Sequence, residues 1–331
     1  MKTKKRKSGF TIVELLTVMA IIAILMGLLV PALNQVRKLA KDTSQKAQFH
    51  AIDAALEGYY ADNLAYPDSA ISKTSNVYTV GAQKLAEALV GRDLFGRDNM
   101  SSWDAKKDEL DPNSDAIYAI EAYGSTPAQV TFSLGNRTKL YLNPDKVEAF
   151  GVGQLYSNND TAAAVVYPGD RDETGARIGT ISKPAPVLTD VYLAKKVTLA
   201  NRTTKMAGSP ILYYKANTHA TFFPNVDANS TVDYADVNET GSIYNGMDNE
   251  ELINLYQMMN PIATNMHHFD QAYNNAETPQ KNGGWIFYKT ITNPTFITQP
   301  RPYNMDSYIL ISAGADAIYG TADDIYNFQS Q

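Results

Sequence analysis

The sequence lacks cysteine altogether. That absence excludes disulfides, thiolate metal sites and cysteine nucleophiles, so a domain outside the cytoplasm must hold together through its core or through another staple such as a metal. Histidine is scarce, with four in 331 residues. His50 falls on the polar side of a predicted helix, His219 in a loop, and His267-His268 with Asp270 on adjacent positions that point different ways. No Ser, His and acid group stands out as a triad, and the pair reads as solvated or structural histidine rather than as metal ligands. Phosphate-loop and dinucleotide fingerprints are missing, as is any fixed-period repeat. No catalytic constellation stands out among these residues.

Basic charge is scarce everywhere except at the start. Lys2, Lys4, Lys5, Arg6 and Lys7 crowd the first seven residues; without them the 29 Lys and Arg become 24 against 35 acids, a body at −11. An acidic body excludes nucleic acid as the main partner, because phosphate binding needs clustered cations. Divalent cations suit it better.

What the chain does have is a long uncharged run. From Leu15 to Val36 there are 22 residues without a formal charge, which as a helix reach about 33 Å, enough to cross a bilayer core. The basic flank precedes the run, so the positive-inside rule puts residues 1–9 in the cytoplasm and the rest beyond the membrane. A secretory signal has a shorter apolar region and a small-x-small cleavage site, neither of which is present. A plain anchor explains everything except Glu14, since a carboxylate in a membrane helix costs about 2.5–3.5 kcal/mol and so marks a function with a partner.

The stretch "KSGFTIVELL" resembles the class III signal of type IV pilins and type II secretion pseudopilins: a short basic leader, Gly9, then a helix opening at Phe10 with Glu at its fifth mature position. Gly9, Phe10, Thr11, Glu14 and Pro31 match that pattern. The resemblance implies cleavage between Gly9 and Phe10 by a prepilin peptidase, N-methylation of Phe10, and neutralisation of a neighbouring subunit's N-terminal ammonium by Glu14. It implies as partners copies of the chain and other pilins in a filament, an inner-membrane platform protein, a cytoplasmic ATPase, and the lipid bilayer before assembly. The expected location is the inner membrane, single-pass with a periplasmic body, and then the filament. Pro31, inside the same helix, predicts a kink.

Beyond Pro31, Phe49, Ile52, Leu56 and Tyr59 recur at spacings of three, four and three, an amphipathic stripe that ends at Asn63 and Pro67. "ALEGYYADNLAYPDS" resembles the helix end of G-type pseudopilins. Residues 80–91 predict a short helix stopped by Gly91. "AQVTFSL", "TKLYL", "PVLTDVYL", "PILYYKA", "GWIFYKT" and "SYILIS" predict strands by their β-branched and aromatic content. Asp248 or Asn249 is expected to cap a short helix.

The fold expected is α+β: a long N-terminal helix, membrane-spanning in one half and amphipathic in the other, packed on an antiparallel sheet in the pilin manner. The divisions are a leader at 1–9, a transmembrane and filament-core helix at 10–34, and an extracytoplasmic domain at 35–331 with a large insertion at about 68–205.

The last informative stretch is "SYILISAGADAIYGTADDIYNF". Asp316, Asp323 and Asp324 lie within nine residues among glycines, so they suit either a hard cation or a solvated acidic turn; EF-hand spacing is absent. The segment is similar to the calcium-holding end of G-type pseudopilins. That resemblance implies Ca2+ bound by the carboxylates of Asp316, Asp323 and Asp324 and the carbonyls of Ala313 and Ile318. Ala317 stands where the family has glycine, so a positive φ there would distort or shift the loop.

The resemblance thus predicts a structural subunit of a type II secretion pseudopilus, not an enzyme. Two other expectations remain open: a minor pilin or adhesin of a type IV pilus, and a membrane-tethered periplasmic enzyme or sugar-binding domain.

Overall fold

The computed structural model describes residues 11–74, 77–112, 114–119, 125–144, 147–156, 185–192, 195–198, 203–224, 226, 241–255, 266–270, 273 and 282–328. The chain divides into two units, Met1–Ser44 and Gln45–Gln331. Helix α1, Ile12–Asn63, is α-helical throughout, with Pro31 inside it. In its first half the side chains from Ile12 to Leu39 are exposed and mostly apolar.

The second half of α1 belongs to the body, and its stripe is buried as the spacing predicts: Phe49, Ile52, Leu56 and Tyr59 are all 6% exposed or less. They share one apolar cluster with Tyr213, Tyr308, Leu310 and Ile325. Those partners come from a three-stranded antiparallel sheet in the order β7 (Leu212–Lys215), β8 (Tyr308–Ser312), β9 (Ile325–Tyr326). Leu212 pairs with Ile311, and Ile311 with Tyr326.

Period-two alternation divides this sheet between two cores. Tyr213, Tyr308 and Leu310 face the α1 stripe, while Leu212, Tyr214, Ile309 and Ile311 join a second cluster with Phe269 and with Phe287, Tyr288 and Ile291. Polar bonds fix the register of α1 on the first face. Tyr308 Oη donates to Asp53 at 2.9 Å, Gln48 donates to the Thr189 carbonyl at 2.9 Å, and Gln45 accepts from the Val191 N–H at 3.0 Å.

Around this centre lie β1 (Ser72–Thr74) with β2 (Val77–Thr79), α2 (Gly81–Val90), α3 (Ala105–Leu110), α4 (Pro127–Gly135), β3 (Ala149–Gly151) with β4 (Pro186–Leu188), α5 (Val152–Leu155), and β5 (Lys195–Thr198) with β6 (Thr204–Ala207). A 3-10 turn at Gly246–Asn249 leads into α6 (Glu250–Ile253), and α7 spans Gly283–Ile291.

The α+β class and the long helix agree with the sequence reading, but several elements differ. "AQVTFSL" is a helix, α4: Thr126 accepts from the Gln129 N–H, Gln129 answers with its amide oxygen on the Thr126 N–H at 2.7 Å, and Pro127 sits in the first turn. This capping box outweighs the Val, Thr and Phe content that suggested a strand. "GWIFYKT" is α7, started by Asn282 accepting from Trp285 N–H at 2.9 Å, and it buries Phe287, Tyr288 and Ile291 at helical spacing. "TKLYL" forms no strand. The expected strands at "PVLTDVYL", "PILYYKA" and "SYILIS" are present in shortened form as β4, β7 and β8.

Asn249 does not cap α6 with its side chain. It caps a distant helix instead: Oδ1 accepts from the Ala82 N–H at 2.8 Å at the start of α2, and Nδ2 donates to the Tyr213 carbonyl at 2.7 Å. One buried amide therefore ties α2 to the central sheet. The turn before α6 is capped by Asn245, which accepts from the Met247 N–H at 3.0 Å.

Candidate functional site

Two regions singled out by sequence lie within the described residues. The first is the start of α1. Gly9 and Phe10 lie outside the described residues, but Thr11 and Glu14 are inside and in contact. Glu14 Oε2 accepts from the Thr11 N–H at 2.8 Å and from its hydroxyl at 2.7 Å, and the Glu14 N–H donates back to Thr11 Oγ1 at 3.2 Å. This is a reciprocal capping box, legible in the sequence as T-x-x-E but missed by a reading that asked only about charge. It gives Glu14 a local role, because a carboxylate in the first turn also complements the helix dipole. α1 is long and apolar enough to cross a membrane, and none of its apolar window is buried among the described residues.

The second region is the C-terminal loop after β8. Two of its glycines are obligatory: Gly314 has φ +65°, and a Cβ added to it would lie 2.2 Å from the Asp323 carbonyl oxygen, while Gly320 has φ +91° against His268 and Phe269. The aspartates are turned into the loop and bonded by its own amides. Asp323 Oδ2 accepts from the Ala315 and Asp316 N–H groups at 2.7 and 3.1 Å, and Asp316 Oδ1 accepts from the Ile318 N–H at 2.8 Å. Asp324 Oδ2 accepts from the Gly320 N–H at 2.8 Å and from the Tyr326 hydroxyl at 3.1 Å.

Burial pushes the Asp324 carboxyl well up, and the nearby charges of Asp316 and Asp323 add to the rise. Asp324 is buried, and its Oδ1 has no partner among the described residues. Ala313 and Ile318 stand in the same loop, with the Ile318 carbonyl accepting from the Thr321 hydroxyl at 3.2 Å. An all-oxygen acidic loop with an orphaned buried oxygen has the donor chemistry of a calcium site. Among the described residues, however, no three His, Asp or Glu side chains are gathered as a metal-holding group. The fit is therefore chemical, and the three carboxylates are not drawn to one point.

The profile described as "Prokaryotic N-terminal methylation motif" matches residues 4–30. A type II secretion system core protein G of Pseudomonas aeruginosa is 41% identical over 66 residues, 20% of this chain and 46% of that protein. The type IV wide pilus major component PilA4 of Thermus thermophilus is 44% identical over 62 residues, 19% of this chain and 47% of its own length. A core protein G of Aeromonas hydrophila is 38% identical over 64 residues, covering 19% and 45%. The N-terminal fifth of this chain is similar to pilins and pseudopilins. The chain spans about half the length of the curated relatives it matches, and no solved structure matches it.

The C-terminal loop's alanine takes the conformation that glycine would favour. Ala317 has φ +60° and is buried, so the loop keeps the left-handed residue and bears its strain. Relief of αL strain, about 1–2 kcal/mol, exceeds the about 0.4–1 kcal/mol of extra chain entropy that glycine adds to the unfolded state. Ala317→Gly is expected to stabilise the protein by about 0.5–1 kcal/mol in denaturant titration; a destabilised variant would mean that the methyl's packing outweighs the strain.

His267 is structural, as the sequence reading favoured, and the structure shows its task. Its Nδ1 accepts from the Tyr319 N–H at 3.2 Å while the His268 N–H donates to the Tyr319 carbonyl at 2.8 Å. The segment 266–270 is thereby clasped to the C-terminal loop, a pairing 52 residues apart that no local pattern signals. Burial lowers the His267 pKa to about 3. Between pH 6.5 and 3 the unfolded chain binds a proton that the native imidazole does not, so stability falls as pH drops, by at most about 1.4 kcal/mol per unit. His267→Asn, whose amide oxygen can replace Nδ1, should flatten that fall in pH-dependent melts. Equal slopes in the two proteins would show that His267 is not the titrating group.

Proposed function

We propose that this chain is a structural subunit of a type II secretion pseudopilus. In this reading a prepilin peptidase cuts between Gly9 and Phe10, Phe10 is N-methylated, and α1 holds the subunit in the inner membrane with its N-terminus cytoplasmic and its body periplasmic. A platform protein then passes it into a helical filament with copies of itself and other pilins. The observation that carries the proposal is the junction of the Thr11–Glu14 box with the uncharged, exposed helix surface from Leu15 to Val36. Such a surface requires lipid before assembly and neighbouring helices after it.

Mass spectrometry of the mature N-terminus tests the processing. A start at Phe10 carrying one methyl group is expected; an intact Met1, or another start, would overturn the reading. The match to a type IV wide pilus component favours a second reading, a type IV pilus subunit with the same processing. Loss of secretion without loss of surface pili in a deletion strain separates the first reading from the second.

The C-terminal loop is proposed to hold Ca2+ through Asp316, Asp323 and Asp324 with the carbonyls of Ala313 and Ile318. Support comes from the unpartnered Asp324 Oδ1 and from the acidic, all-oxygen donor set. The ion would be structural, joining the end of β8 to the tail and relieving carboxylate repulsion. Calcium is expected to raise the melting midpoint of the full chain relative to chelator, and Asp323→Ala to remove the difference. An unchanged midpoint in the parent protein would remove the ion from the loop.

A further inference from the structure

A cleft of about 310 Å3 opens between residues 68–70, the end of β7 with the turn that follows it, and the segment 242–248. It shares no residue with the calcium loop or with the exposed half of α1. Its lining is mostly polar, with only Ala70, Ala216 and Ile243 contributing apolar side chains. That composition argues against a lipid or an aromatic ligand.

On its wall the Ser69 hydroxyl donates to Asp248 Oδ2 and accepts from the Lys215 N–H at 2.9 Å. The other carboxyl oxygen, Asp248 Oδ1, has no partner among the described residues although the residue is only 3% exposed. A buried acceptor left unsatisfied is uncommon and is relieved by any ligand that offers an O–H or N–H. Asn217 and His219 form the facing turn, held by the His219 N–H donating to Asn217 Oδ1 at 3.1 Å, and the His219 side chain is free of that bond.

The charges decide what kind of donor fits. Asp68 is paired with Lys84 at 2.8 Å, and the lining carries one further carboxyl, Asp248, and one further ammonium, Lys215, so no single sign of charge dominates the cleft. A site that mixes donors and acceptors at near-zero net charge matches hydroxyl groups, each of which donates and accepts. The volume lies at the small end of ligand pockets, about 300–1,000 Å3, which limits the occupant to one ring.

We propose that this cleft binds a small neutral polyhydroxy ligand, a single sugar unit, through Asp248, Ser69 and the Asn217–His219 turn. Burial raises the Asp248 carboxyl to about 7, so near neutrality it can both give and take a hydrogen bond with a ligand hydroxyl. The unit could be a free monosaccharide or the end of a polysaccharide chain, which share this chemistry. The proposal is independent of whether the subunit serves a pseudopilus or a pilus.

The test uses the full chain in a zwitterionic, sugar-free detergent, titrated by saturation-transfer NMR and calorimetry with D-glucose, D-galactose and D-mannose, and with oligosaccharides ending in each. Saturable binding of a free monosaccharide assigns a free sugar; binding only of the oligosaccharides assigns a chain end; both support the site. Asp248→Asn should weaken binding by about tenfold or more, as expected when a positioned polar partner is changed. Should that variant fold poorly, Asn217→Ala and His219→Ala, on the exposed turn, should each weaken binding, and His219→Ala, whose side chain takes no part in holding the turn, should do so without shifting the melting midpoint. No saturation with any of these sugars, undiminished binding in all three variants, or preferential binding of methylammonium or calcium at the cleft would overturn the proposal.

Discussion

Glu14→Gln is expected to leave the start of α1 intact and to abolish filament assembly. Glutamine serves as well as glutamate at the third position of a capping box, so the exchange with Thr11, at 2.7 to 3.2 Å in the parent, survives. Membrane insertion becomes easier, since the neutral amide removes a cost of about 2.5–3.5 kcal/mol. The loss falls on the filament alone, where the charge would pair with a neighbour's N-terminal ammonium: removing one member of a buried ion pair costs about 3–5 kcal/mol. Repeated at every subunit, that cost should bring polymer below detection in electron micrographs and in the sheared fraction, with wild-type amounts of subunit in the membrane.

Thr11→Ala is the matched control. It breaks the hydroxyl half of the box, costs about 1 kcal/mol of capping, and keeps the charge, so filaments should persist. Polymer at parental levels from Glu14→Gln would reduce Glu14 to a helix cap.

The contrast between those two variants also shows what the sequence could disclose. Glu14 was conspicuous because it broke an apolar run, but its contact with Thr11 required attention to the three-residue spacing rather than to charge. α1 was legible throughout because both halves carry strong patterns: an uncharged span, then Phe49, Ile52, Leu56 and Tyr59 buried against the sheet. β7 and β8 were legible because their β-branched and aromatic residues sit between turn residues.

α4 and α7 were not, being nine residues each and rich in residues that favour strands. Their identity lay in Thr126, Pro127, Gln129 and Asn282, in caps rather than in the apolar content. The C-terminal loop stood out in the sequence as three aspartates among glycines, with Ala317 as its odd residue, and the structure gives that alanine a positive φ. The His267–Tyr319 clasp, the Asn249 cap on α2 and the Ser69–Asp248 bond were invisible, because each depends on segments that meet only when the chain folds.

Arg92→Ala is expected to cost about 3–5 kcal/mol, the loss that follows when buried carboxylates are stripped of their cation. A body without cysteine was expected to rely on its core or on a metal, and the structure adds a third device, a buried ionic network just past α2. The Arg92 guanidinium meets Asp108 at 2.5 Å and Glu87 at 3.1 Å, donates to Ser101 at 2.9 Å, and lies 5.0 Å from the centre of the Tyr118 ring. Tyr118 Oη donates to Glu87 at 2.9 Å, and the Tyr118 N–H donates to Asp98. Arg137 lies 4.2 Å from the same ring and pairs with Asp93 at 2.6 Å.

The side chains of Arg92, Glu87 and Asp108 are 3%, 0% and 6% exposed, so alanine would leave two carboxylates buried without their shared cation. Arg92→Lys keeps the charge but cannot serve Glu87, Asp108 and Ser101 together, and should lose less. Chemical denaturation of the full chain measures both. A loss below about 1 kcal/mol for the alanine variant would place the network in water and return its stability to the apolar clusters.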